Sequence, residues 1–343
     1  MAKRKYNQKA RALQPAVMKL HFRLDANAEK KYIDLSECTS RLNRRFMRQG
    51  LNWAVANVKI TMLPTAPGTV PAQAYVNTIP HTWLTANSWV KCFHAWKDQQ
   101  DEALADFDGA DTASRFRDFK IFADTDHVTS TFLNNLTPYT LGPGTTAGPY
   151  LPGLITGAAV LPSENWQFSE IVIPNQTADA SGSLTLPAQY SMHMVGPDTS
   201  GFSRGMISGY QNSRNFPQSP DPVNPALGQA TNWMMRMQDV GSDSGEVVQN
   251  ATERNDELPY DQEEYPGVSA NIGQLETQGY VLNASTVGVT TFNTGPFTAP
   301  CGLIRLDFQD QSASGDVGTY NIVTVELVPG NHRGYLCETM EEF

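Results

Sequence analysis

Four arginines, Arg41, Arg44, Arg45 and Arg48, fall at i, i+3, i+4 and i+7 in the stretch SECTSRLNRRFMRQG. That spacing lines them along one face of a predicted helix, with Cys38, Leu42 and Phe46 on the neighbouring face and Gly50 as its stop. Upstream, MAKRKYNQKARALQP carries Lys3, Arg4, Lys5, Lys9 and Arg11, and no acid precedes Asp25. Nine cations of this kind do one sort of chemistry: they neutralise phosphates and release counterions without reading a base sequence. Solvated arginine stripes usually carry acids at i±4, and here Glu37, four residues before Arg41, is the exception rather than the rule. One copy of such a surface binds a polyanion weakly, whereas many copies facing one cavity bind it strongly.

The rest of the chain has the opposite charge. Residues 1–50 hold 13 of the 25 Lys and Arg and 4 of the 35 Asp and Glu, a formal +9, so the remainder carries −19 of the total −10. The asymmetry predicts a basic arm, residues 1–15, on a body, residues 16–343, that does not itself attract nucleic acid.

Other chemistry is sparse. Asp124-Thr-Asp-His127 offers acid/base or metal-ligating groups but sits between two predicted strands, where polar turn residues are expected, and no further ligands can be assigned to it. His94, two residues from Cys92, lies on an aromatic helix and reads as a packing residue. No GxSxG, HExxH or phosphate-loop pattern occurs, and GPGTTAG lacks the lysine of such a loop. Six dispersed histidines and four dispersed cysteines (Cys38, Cys92, Cys301, Cys337) predict neither a catalytic centre nor a zinc or disulfide framework. No enzyme, cofactor or metal is expected. The acidic stretch ATERNDELPYDQEEYPG reads as a solvated loop, with calcium at an intersubunit contact as the lesser alternative.

The elements that must position the arginines are mostly strands. Period-two alternation marks VMKLHFRLD, with Met18, Leu20, Phe22 and Leu24 inward, and LNWAVANVKITML, with Ala54, Ala56, Val58, Ile60 and Met62 on one face. LTLPAQYSMHMV, NWQFSEIVIP, CGLIRLDF and YNIVTVELV follow, with weaker candidates at KKYIDLS, AQAYVNTI, FRDFKIFAD and GYVLNAS. Trp89, Phe93, Trp96, Gln100, Leu104 and Phe107 recur at helical steps over 85–107, predicting a helix across a sheet edge or end. Regions 140–165, 196–232 and 239–270, rich in Gly, Pro, Ser and Asn, read as long loop insertions. Many strands, long connections and few helices predict an all-β fold with inserted helices, a single eight-stranded antiparallel jelly roll with elaborated loops. No apolar run is long enough for a membrane span and no secretory leader is read, so synthesis in the cytosol is expected.

A basic arm followed by KLHFRL, WAVANVKITML, the helix WVKCFHAWKDQQDEAL, ISGYQNSR and NDELPYDQEEYPG resembles the capsid proteins of small circular single-stranded DNA viruses that encode a replication initiator. The resemblance implies a jelly-roll subunit that self-assembles into an icosahedral shell, with Lys3 to Arg11 facing a single-stranded DNA genome and elaborated loops outside. Its partners would be other copies of itself, the genome and a host receptor that the sequence does not identify. Its place would be the virion, after synthesis in the host cytoplasm, with nuclear import left open. The arm is shorter than in many such proteins, so polyamines or metal ions would complete charge neutralisation. Three other readings remain at this point: a coat protein of a small RNA virus, a β-sandwich enzyme or carbohydrate-binding protein using Trp166, Tyr190 and Trp233, and a sequence-specific DNA regulator, for which no reading motif is found.

Overall fold

A computed structural model describes residues 16–25, 30–62, 72–105, 118–129, 135–139, 166, 168–171, 191–195, 203–215, 274–283, 289–309 and 320–341. Fourteen strands and four helices are laid out along them. The strands are β1 (Lys19–Asp25), β2 (Lys30–Asp34), β3 (Leu51–Met62), β4 (Ala72–Thr78), β5 (His193–Val195), β6 (Ser203–Gly205) and β7 (Glu276–Asn283), then β8 (Thr290–Asn293), β9 (Phe297–Ala299), β10 (Leu303–Gln309), β11 (Tyr320–Leu327), β12 (Pro329–Gly330), β13 (Gly334–Tyr335) and β14 (Cys337–Thr339). The helices are α1 (Leu35–Asn43), α2 (Trp83–Ala105), α3 (Thr125–Thr129) and α4 (Met206–Asn215). No helix among the described residues is long and apolar enough to cross a membrane.

Every strand pair is antiparallel. One sheet runs β1, β11, β3, with β14 and the β8–β9 pair also hydrogen-bonded to β3. The other runs β2, β10, β4, β7. Alternation explains the pairing: Leu20 and Phe22 of β1 stand opposite Val325 and Val323 of β11, while Leu306 and Phe308 of β10 stand opposite Val76 and Ala74 of β4. All of these side chains are buried in a single apolar cluster that also takes in Ile33, Val55, Val58, Ile60 and Val281, so the two sheets share one core as a β-sandwich.

The predicted face of β3 is only half right. Val58, Ile60 and Met62 are buried, but Trp53 and Val55, not Ala54 and Ala56, fill the core further up. The register opposite β11 shifts there, Glu326 facing Asn57 and Leu327 facing Val55, so Ala56 is the extra residue of a β-bulge that moves the inward set from even to odd positions.

Between β4 and β7 the chain makes an excursion over residues 79–275, whose described parts build a second apolar cluster at one end of the sandwich. Trp89, Cys92 and Trp96 of α2 meet Phe119, Ile121, Met194 and Ile207 there, together with Ile79 beyond β4 and Leu303 at the start of β10. Of the predicted stripe, Trp89 and Trp96 are buried in this cluster and Phe93 packs against it, whereas Gln100 is exposed. Two expected strands form no ladder among the described residues: 118–121 and 168–171 are joined by hydrogen bonds between Lys120 and Ser169, and Phe122 makes only an isolated antiparallel bridge with His193. Within 196–232, expected to be loop, Ser203–Gly205 and Met206–Asn215 form β6 and α4, so ISGYQNSR is helical. Of LTLPAQYSMHMV only its end is described, as β5 with Met192 and Met194 buried. The acidic stretch lies outside the described residues.

Candidate nucleic-acid interface

Helix α1 is set by its cap. Asp34, fully buried, accepts from the backbone N–H groups of Ser36 (2.9 Å) and Glu37 (3.2 Å) through Oδ1. Its Oδ2 accepts from Gln49 Nε2 (3.0 Å) and Trp166 Nε1 (3.2 Å). Burial, then the charge of Glu37, push the Asp34 carboxyl up to about 7 against the pull of these donors.

The helix ends earlier than the arginine spacing predicts. Arg44 caps it in the left-handed region (φ 53°), and the chain turns back so that Met47 N–H donates to Ser40 Oγ (2.7 Å) and the Met47 side chain enters the main core. Asn43 helps to stop it, donating to Thr39 O (2.8 Å) and to Tyr335 Oη (2.7 Å). Arg41, Arg44, Arg45 and Arg48 thus do not line one helical face. Arg41 lies on α1 and is almost wholly buried in an ion pair with Glu37, while Arg44, Arg45 and Arg48 follow the helix as exposed residues.

This segment sits where the N-terminal region joins the body. Val17 N–H donates to Asn43 Oδ1 (3.0 Å), and Val17 O accepts from Tyr335 Oη (2.7 Å). Val17 is therefore pinned to the residue just before Arg44. Exposed Arg333, on the turn between β12 and β13, adds a cation by donating to the backbone carbonyl of Phe46. Lys3, Arg4, Lys5, Lys9 and Arg11 lie outside the described residues. Sequence spacing finds the arginines and Phe46 but misses Asn43 and Arg333 and the part played by Val17, which depend on contacts between distant segments.

Asp124 and His127 belong to a buried polar chain that braces α1 against the excursion. Glu37 Oε2 accepts from Asn135 Nδ2 (2.9 Å), and Asn135 Oδ1 accepts from His127 Nε2–H (2.7 Å). His127 Nδ1 accepts from Ala123 N–H (3.1 Å), and the ring stacks on Tyr32 at 4.0 Å. Tyr32 Oη donates to Asp124 Oδ1 (2.6 Å), Arg305 to Asp124 Oδ2 (2.6 Å) and to Asp307, and Asn77 to Asp307 (2.9 Å). Burial drives the imidazole pKa down to about 4, and its geometry agrees, because a proton on Nδ1 would face the Ala123 N–H. Burial alone would raise Asp124, but the Tyr32 hydroxyl, the His127 N–H and Arg305 hold its carboxyl below the usual range. Every nitrogen of His127 and both oxygens of Asp124 are engaged, which suits bracing rather than proton transfer to a ligand. Among the described residues no group of three or more His, Cys, Asp or Glu is arranged to hold a metal ion.

Trp166 is engaged as well. Beyond its bond to Asp34, it carries the Lys120 ammonium over its ring at 4.5 Å and lies 6.2 Å from Phe46. Tyr190 and Trp233, its partners in a sugar-binding reading, lie outside the described residues. No protein-family model, curated protein or solved structure matches the chain.

Proposed function

We propose that this chain is a viral coat protein, a single jelly roll that self-assembles into a closed shell and encloses single-stranded DNA behind its basic end. The observation that carries the reading is the anchorage of Val17, two residues after the basic stretch 1–15 in sequence, on Asn43, the residue before exposed Arg44, with exposed Arg45 and Arg48 following in an otherwise acidic chain. An inward basic end would meet packaged phosphates, and the acidic remainder would keep the shell's exterior soluble and indifferent to stray nucleic acid.

Strand order supports the jelly-roll part. Counting β8 and β9 as one interrupted strand and omitting the two short pairs and the three-residue β14 gives eight strands, with the first, eighth, third and sixth in one sheet and the second, seventh, fourth and fifth in the other. Two interlocked Greek keys produce that order. The long excursion between the fourth and fifth strands suits a wall subunit that elaborates loops at one end.

The test is the mass and content of particles formed by the purified full chain, read by light scattering, negative-stain imaging and the 260/280 absorbance ratio. Uniform spheres rich in nucleic acid are expected. Replacing Lys3, Arg4, Lys5, Lys9 and Arg11 with Gln should leave the body folded and lower the nucleic acid per particle, and DNase against RNase digestion of the contents distinguishes a DNA coat from an RNA coat. A monomer in every salt, pH and calcium condition would overturn the reading.

A further inference from the structure

We propose that Phe46 is a stacking platform for an unpaired nucleobase, so that the arginine end grips single strands in preference to duplex. This rests on the reading of that end as a nucleic-acid interface. A lone exposed phenylalanine is ordinary on a protein surface. Phe46 differs in its setting: it is 39% exposed, follows exposed Arg44 and Arg45 and precedes exposed Arg48 in sequence, and has its backbone carbonyl held by Arg333. Its neighbour Met47 is 2% exposed, so the residue beside it is anchored in the core while Phe46 is turned outward. Trp166, tilted 57° to it at 6.2 Å, fixes one flank of the ring, and is itself held by Asp34 and Lys120.

Exposed aromatic rings among cations are the usual means of holding single strands without reading sequence: the guanidiniums take the phosphates, and the ring takes any base, since every base has a π face. A base inside a duplex already has both faces stacked and cannot use the ring. Phosphate contacts, in contrast, serve both forms and set the salt dependence.

The experiment is fluorescence anisotropy of the full-length protein with a labelled oligothymidylate and with a duplex of equal length, over a range of salt. Loss of one base stack through Phe46→Ala should weaken oligothymidylate binding by about tenfold or more, leave duplex binding unchanged and leave the salt slope unchanged. Phe46→Trp should retain single-strand binding. Replacing Arg44, Arg45 and Arg48 with Gln should weaken both forms and flatten the salt slope. If Phe46→Ala binds oligothymidylate as the parent does, or loses both forms equally, the platform is refuted while the arginine interface stands. If the unaltered protein binds neither probe, the interface reading itself falls, and the platform with it.

Discussion

Lowering the pH from 7 to 4 should remove one identifiable part of this protein's stability, the part held by neutral His127. Its ring is buried, stacked on Tyr32 and edge-on to Phe122, with Nδ1 receiving the Ala123 N–H and Nε2 donating to Asn135. Folding lowers its pKa from the ordinary 6.5 to about 4. The unfolded chain therefore binds a proton that the folded one refuses throughout that window. Stability is fully present above 6.5 and is lost as pH falls, by about 1.4 kcal/mol per unit or roughly 3 kcal/mol in all. Asp34 opposes it. Its folded pKa, raised from 3.8 to about 7, contributes stability at low pH that is lost as pH rises, so the curve of the parent protein alone is flattened. The difference between parent and His127→Gln isolates the histidine. Urea unfolding midpoints measured for both at closely spaced pH values should diverge as pH rises from 4 to 6.5, the parent gaining relative to the variant. A difference that stays constant from 4 to 7 would refute the assignment of a neutral, hydrogen-bonded imidazole.

Two further expectations follow from packing. Gly50 has φ +87°, and a Cβ there would lie 2.3 Å from Cζ2 of Trp89, a ring stacked on Phe93 and edge-on to Phe119. Gly50→Ala should destabilise by roughly 2–5 kcal/mol from backbone strain and overlap together, and a shift under about 0.5 kcal/mol in denaturant titration would contradict the geometry. Cys38, Cys92 and Cys301 are buried, and desolvation raises each thiol above its ordinary range. Ellman's reagent should leave all three unlabelled in the folded protein and label four thiols in denaturant; rapid labelling of any of the three would show that its enclosure is wrong.

The strands that are legible in the sequence are those whose alternate side chains enter the shared core. KLHFRLD, LIRLDFQ and YNIVTVEL declare themselves because leucine, isoleucine, valine and phenylalanine at every second position leave one face to bury. TTFN and FTA do not, since β8 and β9 are short and half-exposed and owe their form to pairing with β3. The Ala56 bulge is invisible for a related reason: alanine is indifferent to which face it takes, and Trp53 decides the matter through its place beside Tyr335. The arginine segment fails as a helix because its end is written elsewhere, in Tyr335 and in the core site that draws Met47 inward. Asp124 and His127 are read as turn residues between strands, whereas His127 lies in the short helix α3 and Asp124 just before it; Tyr32, Asn135 and Arg305, which give them their task, are too far away in sequence to be recognised as partners.

The pairing of β1 with β11 has a consequence in time. His21 finds Thr324 across 303 residues of intervening chain, and Leu20, Phe22 and Leu24 have no sheet to join until Val323 and Val325 have been made. At about 5–20 residues per second, translation leaves β1 waiting for roughly 15–60 s. During that interval β1 and the edge of β3 that β11 will occupy are available to neighbouring nascent chains on the same message. A ribosome-bound chain stopped before residue 320 should therefore be protease-sensitive and prone to association, and release of the last strand should close the sandwich in one step.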